Sequence, residues 1–311
     1  MKHECKLPPF TAHEELNQAE IPWGVKHINA PQAWNSAKGE DVVVAILDTG
    51  CDASHPDLNG RVVDGRNFTT DYNGDIANYQ DNQGHGTHCA GVIAGSIDNN
   101  GIIGVAPKAK LIIGKVLSGN GAGEYHSIVR GIQWATSWIG PNGETVRVIS
   151  MSLGASSTIP ALHQAIKDAV SRGIVVVCAS GNSGDNNHHT DEYAYPGIYP
   201  EVIEVGATDN ADNIATFSNT NDQIDVVAPG VDIISSAPGN RWSKMSGTSM
   251  ATPHVAGMLA VLISHYEGLG ETLTEPEIYE LLLKHVRPLA FDKKAVGNGI
   301  IDFKAGHLGE S

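Results

Sequence analysis

The 311-residue chain carries 35 acidic against 20 basic residues, and the resulting net charge of −15 repels phosphate backbones and argues against a nucleic-acid partner. Its length supports a large core in one α/β domain or two smaller ones, and its 35 glycines, which follow no collagen-like period, point to tight turns and backbone-lined surfaces. No apolar run reaches the length of a secretory signal or a membrane span, and Cys5, Cys51, Cys89 and Cys178 lack metal-type spacing, so the chain reads as a cytoplasmic protein with free thiols.

Residues 1–18 are polar apart from Leu7-Pro8-Pro9-Phe10 and show no strand pattern, which leaves a disordered tail or a segment lying in a groove. The β-branched run Val42–Leu47 predicts a strand buried on both faces, with Asp48 at its carboxyl end, where open α/β sheets hold their ligands. An aspartate there could equally cap the turn through Gly50. His85 opens a helix reaching about Gly95, so rich in Gly and Ala that only close packing justifies it. His88 stands three residues on, but the glutamate of a His-Glu-x-x-His zinc site is missing.

Strands are predicted at 111–117, 146–153, 173–179, 202–207 and 224–227, and helices at 125–137, 160–172, 249–266 and 275–284. Gly119, Gly121 and Gly123 do not match the G-x-G-x-x-G of a dinucleotide site and read as an edge without obstructing side chains. Asn182 follows a strand end inside a glycine turn, where its amide could serve a turn or an oxyanion. Ser249 stands at a helix mouth between Gly247 and Ala251, with Pro253 taken as lying in the first turn, where a missing N–H costs little. The alternation over 42–266 predicts one doubly wound, mostly parallel sheet with helices on both faces.

Asp48, His85 and Ser249 occur in the order Asp, His, Ser, whereas an α/β-hydrolase would run Ser, Asp, His and need a glycine where Ala251 stands. Asp48-Thr49-Gly50, His85-Gly86-Thr87-His88, Ser180-Gly181-Asn182 and Gly247-Thr248-Ser249-Met250-Ala251-Thr252-Pro253-His254 together resemble the subtilisin family of serine proteases over roughly residues 20–306. The resemblance implies Ser249 as nucleophile, His85 as general base, Asp48 as its orienting carboxylate, and Asn182 with the Ser249 amide as oxyanion donors. It implies Gly121, Ala122 and Gly123 facing Ser152, Leu153 and Gly154 across an extended peptide. By the same resemblance Ala179, Gly181, Ser183 and Ala194 line the primary pocket, and Ala194, where many relatives have glycine, makes it shallower and suited to apolar residues.

Two cation sites also follow from the resemblance. Asp57 with Ser96, Asp98, Asn100 and Ile102 matches a structural Ca2+ loop that a glutamine such as Gln18 would complete, and the carbonyls of Gly197, Tyr199 and Val202 with Asp225 form a weaker second site. The missing signal and short extension resemble the intracellular branch, which implies a homodimer acting on protein or peptide substrates away from membranes. They also imply residues 1–18 as an inhibitory prosegment, with Leu7, Pro8, Pro9 and Phe10 in place of the branch's Leu-Ile-Pro-Tyr/Phe motif, ahead of a catalytic domain over 19–311. Met250, beside the nucleophile, is the expected site of oxidative damage.

Overall fold

The computed structural model describes residues 4–7, 21–97, 101–306 and 308. In chain order the strands are β1 (Glu4–Lys6), β2 (Val43–Asp48), β3 (Val62–Asn67), β4 (Lys110–Lys115), β5 (Ala122–Glu124), β6 (Val146–Met151), β7 (Val175–Ala179), β8 (Ile203–Thr208), β9 (Ile224–Pro229), β10 (Ile233–Ala237), β11 (Arg241–Met245), β12 (Val286–Arg287) and β13 (Ile300–Ile301). The helices are α1 (Trp23–His27), α2 (Ala30–Ala33), α3 (His85–Ala94), α4 (Tyr125–Ser137), α5 (Pro160–Ser171), α6 (Thr248–Gly268), α7 (Glu275–Lys284) and α8 (Lys293–Val296).

Nine strands form one sheet in the order β12-β13-β9-β8-β7-β6-β2-β4-β3, parallel throughout except at the β12–β13 edge. Its central strands are buried on both sides, as the unbroken apolar runs require. In β2, Val44 and Ile46 join an apolar cluster that includes α3 and α6 residues, whereas Val43, Ala45 and Leu47 join one built with α4 and α5. No helix among the described residues is long and apolar enough to cross a membrane.

The poor helix formers of α3 are explained by contact. A methyl at Gly86 would run into the Gly50 carbonyl, and one at Gly91 would collide with Ser235 on β10. The 1–18 stretch differs from the pattern-based expectation, because β1 is a strand: it pairs antiparallel with β5, with Cys5 opposite Gly123. Three residues without alternation become a strand because an existing edge supplies the partners for their backbone groups. All four cysteines are buried and free, and burial pushes the Cys5 thiol up to about 12.

Glu204 on β8 is fully buried, and sequence reasoning passed over it. Its Oε1 accepts from Asn221 Nδ2 at 3.2 Å, and Oε2 has no hydrogen-bond partner among the described residues. Burial, reinforced by Asp225 and Asp222, raises its pKa from 4.5 to about 8. The fold therefore retains a proton that the unfolded chain has released, so this group makes stability fall as pH rises from about 4.5 to about 8, beyond which the effect levels off. Thermal unfolding at pH 5 and pH 8, in a Ser249→Ala background that cannot digest itself, should show Glu204→Gln raising Tm more at pH 8 than at pH 5. Equal shifts at both would assign the proton elsewhere.

Candidate active site

The carboxyl ends of β2, β6 and β7 and the amino ends of α3 and α6 meet at one place. β2 ends on Asp48, α3 begins on His85, and Ser249 is the second residue of α6. His85 Nδ1 donates to Asp48, lying 2.8 Å from Oδ1 and 2.9 Å from Oδ2, and both residues are buried. Thr49 N donates to the same Oδ1 at 2.7 Å, fixing the carboxylate from behind. Burial alone would lower the imidazole's pKa, but the facing Asp48 carboxylate overrides it and holds His85 well above its ordinary value.

Asp81, a loop residue that sequence reasoning did not single out, joins the two sides. Its Oδ1 accepts from Thr49 Oγ1 at 2.9 Å, Gln83 N at 3.0 Å and Gly84 N at 2.8 Å, and its Oδ2 from Thr87 N at 2.9 Å and Thr87 Oγ1 at 2.6 Å. One carboxylate thus ties the turn after Asp48 to the backbone on either side of His85.

At Ser249 the structure corrects one expectation. Pro253 is the sixth residue of α6, beyond the first turn, so the N–H it lacks is the one that would bond the Ser249 carbonyl. That carbonyl instead accepts from Ser152 Oγ at 2.9 Å and, more weakly, Cys89 Sγ at 3.6 Å, while Ser249 Oγ donates to Ser152 O at 3.3 Å. Proline thereby frees an acceptor that locks α6 to the end of β6. Cys89 Sγ also lies 3.9 Å from His85 Nδ1, so one small side chain contacts both His85 and Ser249.

Asn182 is oriented by its own oxygen. Oδ1 accepts from Thr248 N at 2.9 Å and Thr248 Oγ1 at 2.8 Å, which turns Nδ2 toward Gly247; a methyl at Gly247 would stand 2.9 Å from that nitrogen. Met250 is fully buried beside this turn.

β5 carries Ala122 and Gly123, preceded by Gly121, and Ser152, Leu153 and Gly154 follow β6. A cavity of about 220 Å³ is walled by Gly154, Ala155, Gly181, Ser183, Ala194 and Asn219, with Leu7 reaching into it. Ala194 Cβ would stand 3.3 Å from a methyl placed at either Gly154 or Gly181, so it narrows the pocket between two glycines. Ala179 is buried at the end of β7 and does not line the cavity, contrary to expectation; Tyr193 and Asn219 do, and no periodicity marked either. The alternative His85–His88 metal pair is not supported, because His88 Nε2 bonds the Ile233 carbonyl at 3.0 Å while His85 Nδ1 is held by Asp48.

The subtilase family matches residues 39–307. The chain belongs to that family. It is 48% identical over 303 residues to an intracellular serine protease of Paenibacillus polymyxa, covering 97% of this chain and 91% of the relative. It is 45% identical over 305 residues to the major intracellular serine protease of Bacillus subtilis (strain 168), covering 97% and 94%. Subtilisin E of the same strain is 42% identical over 270 residues, covering 85% of this chain and 68% of the relative. The chain is thus a subtilisin-type serine endopeptidase, of the class that works through an Asp-His-Ser triad.

Two outcomes follow from the geometry. Asn182→Ala should lower kcat by about 10²–10³-fold with little change in KM, which is the magnitude established for the oxyanion-hole asparagine of subtilisin itself; turnover within a few-fold of wild type would remove Asn182 from the oxyanion role. Because general-base action needs neutral His85, the acid limb of the kcat/KM profile should lie above the ordinary histidine range and move to lower pH in Asp48→Asn.

Proposed function

We propose that this chain is an intracellular, cytoplasmic endopeptidase made as a precursor, with Ser249 as its nucleophile and residues 1–18 as the segment that holds it inactive. In this reading Ser249 Oγ attacks the peptide carbonyl as His85 Nε2 takes its proton, while Asp48 keeps Nδ1 protonated and balances the imidazolium. The negative oxygen lies between Asn182 Nδ2 and the Ser249 N–H. His85 then returns the proton to the departing amine, and water repeats the sequence to release the acyl group.

The observation that carries the assignment is the bidentate approach of Asp48 to His85 Nδ1 beside Ser249 at a helix mouth. The precursor reading is supported by β1, which occupies the edge that an extended substrate would use, and by Leu7, whose N–H bonds Gly121 O at 2.9 Å. Pro8, Pro9 and Phe10 lie outside the described residues, as do residues 16–19, where the segment is expected to be removed. The homodimer implied by the resemblance belongs to this proposal too.

A structural Ca2+ fits one of the two candidate sites. Asp57 is fully buried; its Oδ2 takes Trp242 Nε1 at 2.8 Å, Ser236 Oγ at 2.9 Å and Ile102 N at 3.3 Å, while Oδ1 has no hydrogen-bond partner among the described residues. A methyl at Gly101 would collide with Oδ1, so the loop closes on this oxygen. Asp57 and carbonyls of the Ser96–Ile102 loop would hold the ion, which would neutralise the buried carboxylate and pin the loop. Asp98, Asn100 and Gln18 lie outside the described residues. At the second set, Asp225 has both oxygens engaged, by Glu204 N at 2.8 Å and Tyr279 Oη at 2.6 Å, and the acid beside Gly197 is Glu204. No cation is proposed there.

A serine-directed phosphonyl reagent should label Ser249 and abolish peptide hydrolysis, and Ser249→Ala should be inactive; a labelled but fully active enzyme would refute the assignment. Incubated with calcium, the full chain should show a lag in activity that deletion of residues 1–18 removes. No lag, with no gain on deletion, would discard the precursor reading. Calcium should raise Tm in Ser249→Ala, by about 2.7 kcal/mol of stabilisation at a hundredfold excess over Kd, and Asp57→Asn should abolish that gain.

A further inference from the structure

Among the described residues the largest fully buried side chain is a lysine, and neither the sequence motifs nor the catalytic chemistry uses it. Lys115 ends β4, next to β2 in the sheet, and its ammonium is surrounded by oxygens. Nζ donates to Thr49 O at 2.7 Å, Asn82 Oδ1 at 2.9 Å and Leu117 O at 3.1 Å, and Asp71 Oδ2 lies 3.0 Å away. The same Asp71 oxygen accepts from Gly119 N at 2.8 Å and Asn82 Nδ2 at 3.1 Å. Asp71 is partly buried. Burial alone would raise its pKa, but Lys115, Gly119 and Asn82 outweigh that and keep it lowered.

The segments these bonds join are the parts of the site that must keep a fixed separation. Thr49 follows Asp48. Asn82 precedes His85 by three residues. Leu117 and Gly119 lead into the Gly121–Gly123 edge, and a methyl at Gly119 would press on the Asn82 side chain. A buried ammonium is expensive to desolvate, and a buried ion pair can often be exchanged as a whole for apolar residues without loss of stability, so stability alone is a poor reason for the pair.

We propose that Lys115 and Asp71 act as a pair of positioning residues, setting the distance between the peptide-binding edge and the Asp48–His85 dyad. The inference rests on the proposed use of that edge for substrate. A peptide paired along 121–123 is then registered against the reacting centre through Gly119, Asp71 and Lys115. A substrate too short to reach the edge gains nothing from the pair.

The test is a ratio of two substrates, measured on full-chain enzyme after activation in calcium. For wild type and Asp71→Asn, kcat/KM is compared between an extended tetrapeptide amide and a single-residue ester of the same terminal residue. Asp71→Asn should lower the extended-substrate value about tenfold and the ester value less than twofold. Lys115→Met should lower the same ratio, and the double variant should fall no further than the larger single loss, as two members of one unit require. Retained ester turnover reports an intact fold. An unchanged ratio in Asp71→Asn, whether both substrates fall together or neither falls, overturns the proposal. Wild type inactive on both substrates would instead count against the endopeptidase reading.

Discussion

The site depends on how closely α3 can approach the end of β2. At Gly86 the helix backbone lies against the Gly50 carbonyl so tightly that no side chain fits between them. The His85–Asp48 contact exists only at that separation, and a side chain at Gly86 would push the imidazole away from its carboxylate. The low helix propensity of His85–Ala94 is thus the condition for placing a base against a strand end. α6 meets the sheet under a related constraint: Pro253 releases the Ser249 carbonyl, and Ser152 takes it.

Much of this was legible in the chain. Continuous β-branched runs between turn residues marked the central strands because a doubly covered parallel sheet leaves them no polar face, and Asp48, His85 and Ser249 stood out because each adjoins such an element boundary. Less visible were features whose cause is tertiary. β1 has no pattern of its own and becomes a strand through the edge it meets. Lys115, read from sequence, is merely a polar residue inside the apolar run 111–117. Glu204 sits among apolar neighbours in β8 without any motif, and the place of Pro253 in its helix depended on where α6 begins.

Buried charge is handled differently at each place. Asp81 is satisfied by five hydrogen bonds from the segments around it. Asp57 has one oxygen without a hydrogen-bond partner among the described residues, beside Gly101, the arrangement a hard cation would stabilise. Glu204 escapes the problem by remaining protonated over most of the physiological range.

The β1–β5 pairing carries a consequence for which proteins such an enzyme can attack. An edge read through main-chain hydrogen bonds accepts only a chain whose own N–H and C=O groups are available, and in a native target those groups are already committed to its own sheets and helices. When local opening is fast relative to cleavage, the rate of attack follows the population of opened target rather than the sequence at the cut. A groove used in this way would grade its targets by conformational stability, with loosely folded chains cut ahead of well-packed ones.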